Sequence, residues 1–438
     1  MFINRTVMMK IQSIICFLLI TFLGSSQETL TLENAVSIAL ENNYNIQIAQ
    51  NNLTKAKLNN HIGNANMLPG ISLSAGYNSS NGNVRQETFS GQSLSIDNAK
   101  NTSANSGINI EQTLFDGFKM FSLKKQLGKV EDLTDLKYKE EIENMTTQVI
   151  NAYYEAVAAK KYQKLIEQSI KISNEQYTMI LERSKYGRAS VIDILNTQVS
   201  LAADSTRYLD AQNAVEQSLN YLSFLLGGLP LKSNKLIRSI SPNKDLVKNL
   251  EAYNSAQNIL IQQAELNLEI TALDYEIYKS ANLPQIYANA GYNLNNSISD
   301  FGFANSTNSN SIRFGLTASW SIFQGYKRNI QLKTAQIDQL NQNISLKQIS
   351  QNVNNDLENA KVAYKGAVNK LSLQDRNLLV YEKQYELTKQ LYELGKRTIL
   401  ELNQAQQQLF EAKNSLFIAQ KEAKKQEIEI LRLSGKLI

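Results

Sequence analysis

Two kinds of hydrophobic patterning run along this chain, and each occurs twice. Ile71, Leu73, Ala75 and Tyr77 alternate with Ser72, Ser74 and Gly76, and Ile108 and Ile110 alternate with Asn109 and Glu111 on the way to Leu114. Further on, Ile286, Ala288, Ala290, Tyr292 and Leu294 alternate with polar or small residues, as do Ile312, Phe314, Leu316, Ala318 and Trp320. A period of two with one apolar face predicts four strands, at about 70–78, 107–115, 285–294 and 311–323. Each is about 9–11 residues long, enough to cross a bilayer as a tilted barrel strand. The Asn/Ser/Gly-rich stretches 78–107 and 295–311 read as polar loops.

The second pattern is helical. From Phe118 to Tyr186 there is no proline and a single glycine, Gly128, so the spacing predicts one helix over 118–186. At 1.5 Å per residue it would be about 100 Å long, which no compact domain needs. A second such helix is predicted over 326–394. Beyond Gly395, Leu402, Ala405, Leu409, Ala412, Leu416 and Ala419 follow a 3-4-3-4-3 spacing. That is a coiled-coil seam in which alanine lets a partner helix approach closely. The turns 187–193 and 395–401 are the predicted helix tips.

These elements belong to a duplication. Leu68-Pro69 and Ala75-Gly76-Tyr77 recur as Leu283-Pro284 and Ala290-Gly291-Tyr292, 215 residues later. Leu114-Phe115-Asp116-Gly117-Phe118 recurs as Ile322-Phe323-Gln324-Gly325-Tyr326, 208 residues later. The same 208 links Gly187 to Gly395, Asp193 to Glu401 and Gly227 to Gly435. The seven-residue slip between the registers implies a loop of changed length. A period this long is no solenoid unit, so the expected organisation is a first half over 27–228, an inter-repeat segment over 229–250, and a second half over 251–438.

Residues 1–26 read as a secretory signal: Arg5 and Lys10 open it, Ile11–Leu23 form its apolar core, and Gly24-Ser25-Ser26 its small-residue exit. The rival reading, a transmembrane helix, would need about 20 apolar residues. The only cysteine, Cys16, lies in this segment, so the mature chain is expected to have neither disulfide nor thiol chemistry. Losing Arg5 and Lys10 lowers the formal charge from +5 to +3, and the basic residues are scattered among acids, so no nucleic-acid partner is expected. With one histidine and no phosphate-cradling glycine loop, no catalytic, cofactor or metal site is predicted.

A four-stranded sheet cannot satisfy its edges inside lipid, where only closed barrels survive. Other copies of the chain must complete it: two would give eight strands and three would give twelve, wide enough for a lumen. A soluble coiled-coil rod would account for the helices but not for the amphipathic strands.

The paired Leu-Pro strand entries, the Phe115-Asp116-Gly117-Phe118 and Phe323-Gln324-Gly325-Tyr326 strand exits, and the two tips Tyr186–Asp193 and Leu394–Glu401 carry a family likeness. On these motifs the chain resembles TolC-type outer-membrane efflux proteins over essentially its whole mature length. The resemblance implies a mainly α fold with a small β portion: a homotrimer whose twelve-stranded outer-membrane β-barrel continues into a long periplasmic α-helical barrel. It also implies an equatorial region recruiting the segment around Leu229–Leu250 and the C-terminal end. The implied function is a passive exit duct for small molecules, working with a periplasmic adaptor and an inner-membrane pump of RND, ABC or MFS type. Protein secretion through the same duct and a non-transporting fibrous surface protein are the alternatives.

Family gate residues, an acid on the first tip and a tyrosine and arginine around the second, fall on Asp193, Tyr392 and Arg397. The acidic constriction falls on Glu401 and on Gln404, which departs from the family's acid. Gly187, Arg188, Gly395 and Lys396 fall at the adaptor-contact tips. Tyr77, Tyr292 and Trp320, near predicted strand ends on the apolar face, are expected to form an aromatic girdle in outer-membrane lipid.

Overall fold

The computed structural model describes residues 30–87, 89–231, 240–302 and 304–438. The signal expected over 1–26, and residues 232–239 of the inter-repeat segment, lie outside the described residues. In chain order the elements are α1 (Leu32–Asn42), α2 (Tyr44–Asn59), β1 (Gly70–Glu87), β2 (Ser93–Phe115), α3 (Lys119–Lys185), α4 (Val191–Leu225), a 3-10 helix (Lys244–Ala252), α5 (Ile259–Ser280), β3 (Gln285–Ser299), β4 (Ser306–Ser319), α6 (Lys327–Glu393) and α7 (Ile399–Leu433). The chain is mainly helical with a small antiparallel sheet. Contacts among the described residues divide it into one unit within Met1–Gln50, Tyr138–Ile261 and Ser350–Ile438, and another within Asn51–Lys137 and Gln262–Ile349.

The second unit holds the sheet, four antiparallel strands in the order β1-β2-β3-β4. Cross-strand partners share a face, and the apolar residues line up in rows. Leu73, Ile108, Tyr292 and Ile312 form one row; Ile71, Ile110, Ala290 and Phe314 form the next. Nothing among the described residues covers this face: Leu73 is 79% and Phe314 87% exposed. On the opposite face glycine stands across from asparagine, in the pairs Gly76–Asn105, Gly107–Asn293, Asn109–Gly291 and Asn289–Gly315. A Cβ on Gly107 would lie 2.3 Å from the Asn293 side-chain oxygen, so the amide leans into the space that glycine leaves open.

The strands differ from the sequence expectation in three respects. The stretches 78–107 and 295–311 are largely not loops: β1 continues to Glu87 and β2 starts at Ser93, while β3 reaches Ser299 and β4 starts at Ser306. Asn, Ser and Gly carry the turn signal, but here their backbones pair across the hairpin, Asn78 with Ser103 and Asn296 with Asn308. The seven-residue difference between the repeats is therefore taken up mainly by longer paired strands in the first hairpin. At its other end β4 stops at Ser319, short of the expected 323.

In the helical unit, α1 is capped by Thr31, whose hydroxyl accepts from the Asn34 N–H at 3.1 Å. Ala35 and Ala39 of α1 pack with Met145, Val149, Tyr153 and Val157 of α3 and with Leu219, Leu222 and Leu225 of α4. Tyr153, 2% exposed, donates its hydroxyl to the Leu30 carbonyl at 2.8 Å, which removes the penalty of burying a phenol. The α7 seam is as the spacing predicts: Leu402, Ala405, Leu409, Ala412, Leu416 and Ala419 are all buried. No helix among the described residues is long and apolar enough to cross a membrane.

Candidate functional site: helix tips and uncovered sheet

The two helix tips are built alike. α3 ends with Gly187 in the left-handed region, φ 67°; its N–H reaches the Ser184 carbonyl at 3.0 Å and the Arg188 N–H reaches Arg183 at 2.9 Å. α6 ends with Gly395, φ 73°; its N–H meets Tyr392 at 2.9 Å and the Lys396 N–H meets Leu391 at 2.8 Å. This six-to-one closure satisfies the last helical carbonyls and requires a residue that tolerates positive φ. Gly187, Arg188, Gly395 and Lys396 are all exposed.

The next helices both begin with a reciprocal cap. Ser190 accepts from the Asp193 N–H at 3.2 Å while the Asp193 carboxylate accepts from the Ser190 N–H at 2.9 Å. Thr398 and Glu401 repeat this at 3.3 and 2.8 Å. The 208-residue correspondence of Asp193 with Glu401 thus has a local cause: each is the third helical residue of a capping box. The signature was legible as Ser190-x-x-Asp193 and Thr398-x-x-Glu401.

Asp193, Tyr392 and Arg397 are not bonded to one another within the chain. The Tyr392 hydroxyl accepts from Arg183 Nη1 at 3.1 Å, and the Arg183 guanidinium lies 5.0 Å from the Tyr392 ring centroid. Arg183, in the last turn of α3, is the residue that the sequence reading missed; a cation there also favours the negative helix C-terminus. Tyr392 is buried with Ile180, Ile399 and Leu402. Burial pushes its phenol up, with the charge of Asp193 acting in the same direction and Arg183 opposing it.

Arg397 pairs with Glu401 on its own helix turn. The Thr398 backbone N–H, followed by the Arg397 guanidinium, holds the Glu401 carboxyl below the usual carboxylate range. Glu401 is thus ionised but accompanied by a cation. Gln404 is exposed and lines a cleft of about 540 Å³ together with Asn403, Ser200 and Asp204. In the wall of that cleft Asp204, 4% exposed, accepts from Ser169 and Ser173 of α3, each at 2.7 Å, and from Arg207 at 2.9 Å. Gln406 of α7 donates to Ser169 at 3.3 Å and accepts from Gln176 at 3.0 Å. This network joins three helices around one buried carboxylate.

On the sheet, Tyr77 and Tyr292 stand mid-strand rather than near strand ends, because the strands run further than expected. The Tyr77 row, with Ala104, Asn296 and Asn308, is where the apolar rows give way to polar ones; Tyr292 lies inside the apolar band. Trp320 follows the last residue of β4 and donates its indole N–H to the Asn282 carbonyl at 3.1 Å.

A family model described as "Outer membrane efflux protein" matches residues 35–228 and 254–436. The probable efflux pump outer membrane protein TtgC of Pseudomonas putida is 24% identical over 210 residues, 45% of this chain and 40% of that protein. Outer membrane protein TolC of Vibrio cholerae is 19% identical over 358 residues, 80% of this chain and 78% of its own. The alignment thus spans less than half of the Pseudomonas relative and most of the Vibrio one. Among solved structures, the V. cholerae outer membrane protein VceC superposes with a TM-score of 0.75 at 14% identity, covering 92% of this chain and 96% of its own. The Campylobacter jejuni CmeC outer membrane channel gives 0.74 at 15%, covering 93% and 86%.

Proposed function

We propose, from the premise that this chain belongs to the outer membrane efflux protein family and so has its place in the outer membrane, that it is the exit duct of a tripartite efflux system. In this reading it is a passive conduit for small molecules expelled by an inner-membrane pump through a periplasmic adaptor. The observation that carries the reading is the sheet. One face is apolar and uncovered, the other is lined by Asn, Ser and Gly, and β1 and β4 are both edges. In lipid such edges must be paired, which calls for a closed barrel; we take it to be one of three copies and twelve strands, the family's assembly, rather than the eight strands of two copies. A second motive for association is the stripe Ile330, Ile337, Leu340 and Ile344 on α6, each at least 56% exposed and set at the 7-3-4 spacing of a coiled-coil seam.

The duplicated halves over 27–228 and 251–438 would each supply two strands and two long helices. Tyr77 and Trp320 would mark the borders of the lipid-facing band, with Tyr292 inside it. The tips would form the periplasmic entrance, with Gly187, Arg188, Gly395 and Lys396 offered to the adaptor. Tyr392, held by Arg183, would act as the latch together with Asp193 on the facing tip, and the Arg397–Glu401 pair with Gln404 would line the constriction. Purified protein in a planar bilayer tests the conduit: discrete conductance steps are expected, and a persistently silent membrane at high protein density counts against it.

A further inference from the structure

The helical unit carries a second concavity, away from the tips. It lies where α3, α6 and α7 meet and has a volume of about 700 Å³, within the usual range for small-molecule sites. Lys161 and Lys164 of α3 and Lys413 of α7 line it, and its apolar wall is Leu165, Leu378 and Phe417. Lys160 also lines it but is engaged by the Gln163 side-chain oxygen at 2.8 Å. The one acid on the lining is Glu167.

A row of lysines on a helix is ordinarily a solvated face. Lys161 departs from that pattern. Its ammonium stands 5.2 Å from the centre of the Phe417 ring, and burial lowers its pKa below the ordinary lysine range with no carboxylate offsetting the effect. Among the described residues the Phe417 ring is the group set against this half-buried ammonium, and a cation–π contact compensates lost hydration less fully than a hydrogen bond to an anion does. An anion would complete it. The aromatic and aliphatic wall beside the ammonium suits an apolar body on that anion.

We propose that this groove binds small amphiphilic anions, an aromatic or aliphatic carboxylate or sulfonate whose head meets Lys161 and Lys164 or Lys413 and whose body lies on Phe417 and Leu378. The site needs no bilayer and no partner, so it stands or falls independently of the duct reading.

The test uses the full chain in an uncharged detergent and 1-naphthalenesulfonate as probe, with 1-naphthalenesulfonamide as its neutral isostere. Binding is read by ligand-detected NMR and calorimetry at low salt. The sulfonate should bind at least tenfold more tightly than the sulfonamide. Lys161→Met, which keeps the aliphatic stem, should weaken the sulfonate at least tenfold, while Lys161→Arg should retain it. Phe417→Leu, a second variant that preserves apolar packing, should weaken both probes. Equal affinity for the two probes, unchanged binding in Lys161→Met, or no sulfonate binding to the wild-type chain at millimolar concentration would each overturn the proposal.

Discussion

Asn258 donates its side-chain amide to the carbonyl of Leu433 at 3.0 Å, joining the start of α5 to the end of α7. Its side-chain oxygen accepts from the Leu260 N–H at 3.0 Å, so one residue caps one helix and ties down another. The first half contains the same device: Asn43 donates to Leu225 at 3.2 Å and accepts from Asn45 at 2.9 Å. With Asn258 at 1% exposure, Asn258→Ala should cost about 1–3 kcal/mol by leaving the Leu433 carbonyl unpartnered and removing a cap. Thermal unfolding in detergent checks this; an unchanged midpoint would show that the bond carries no weight.

Two helix-ending glycines, one at a tip and one beside the Asn258 joint, should be unequal. Gly187 and Gly435 share φ 67°, but a Cβ at Gly187 meets open space whereas one at Gly435 would lie 2.2 Å from the Gln257 carbonyl oxygen. Gly187→Ala should therefore cost only the left-handed penalty, about 1–2 kcal/mol. Gly435→Ala should cost clearly more, because backbone must move. Comparable losses in the two variants would contradict the packing argument.

Glu143 gives a pH signature. It is 3% exposed and one of its carboxyl oxygens has no hydrogen-bond partner, while Arg432 bonds Glu429 at 2.6 Å. Burial raises its carboxyl from 4.5 to about 7, with Arg432 opposing and Glu140 and Glu429 reinforcing the shift. Between those two values the folded chain holds a proton that the unfolded chain has released. Stability should therefore fall as pH rises through that window and stay lower above it. Glu143→Gln should be near neutral at pH 5 and stabilising at pH 8, measured as the shift in melting midpoint. A stabilisation confined to acid pH would reverse the assignment.

At the tips, the bonds predict separate phenotypes for residues grouped together from sequence. Tyr392→Phe removes the acceptor of Arg183 and should raise single-channel conductance, as should Arg183→Gln. Arg397→Ser leaves Tyr392 bonded but exposes the Glu401 charge, so it should raise cation preference, read as reversal potential in a salt gradient. Glu401→Gln should lower it, and because Arg397 already accompanies the carboxylate, by less than Arg397→Ser raises it. Identical reversal potentials in all three proteins would remove Glu401 from the constriction.

The long helices and the α7 seam were legible because proline-free period-3.6 patterning over tens of residues has few other solutions. The strand cores were legible for the same reason at period two. The hairpin extensions were not: Asn78–Glu87 and Asp97–Ser106 lack an apolar alternation and Leu94 with Ile96 is too short a run, so only backbone pairing to a neighbour makes them strands. Asp193 and Glu401 were identified as equivalent, but the family role hid the capping boxes written beside them. Arg183, Asp204 and Lys161 were illegible because their significance arises from partners on other helices, Tyr392, Ser169 and Phe417, at separations that no local pattern encodes.

Whether two further copies of the chain complete this sheet is decided by the native mass of the detergent-extracted particle. Three chains are expected, each somewhat lighter than the 49.3 kDa of the full sequence if the expected signal segment is removed. A stable one-chain particle would show that the sheet is not completed by other copies.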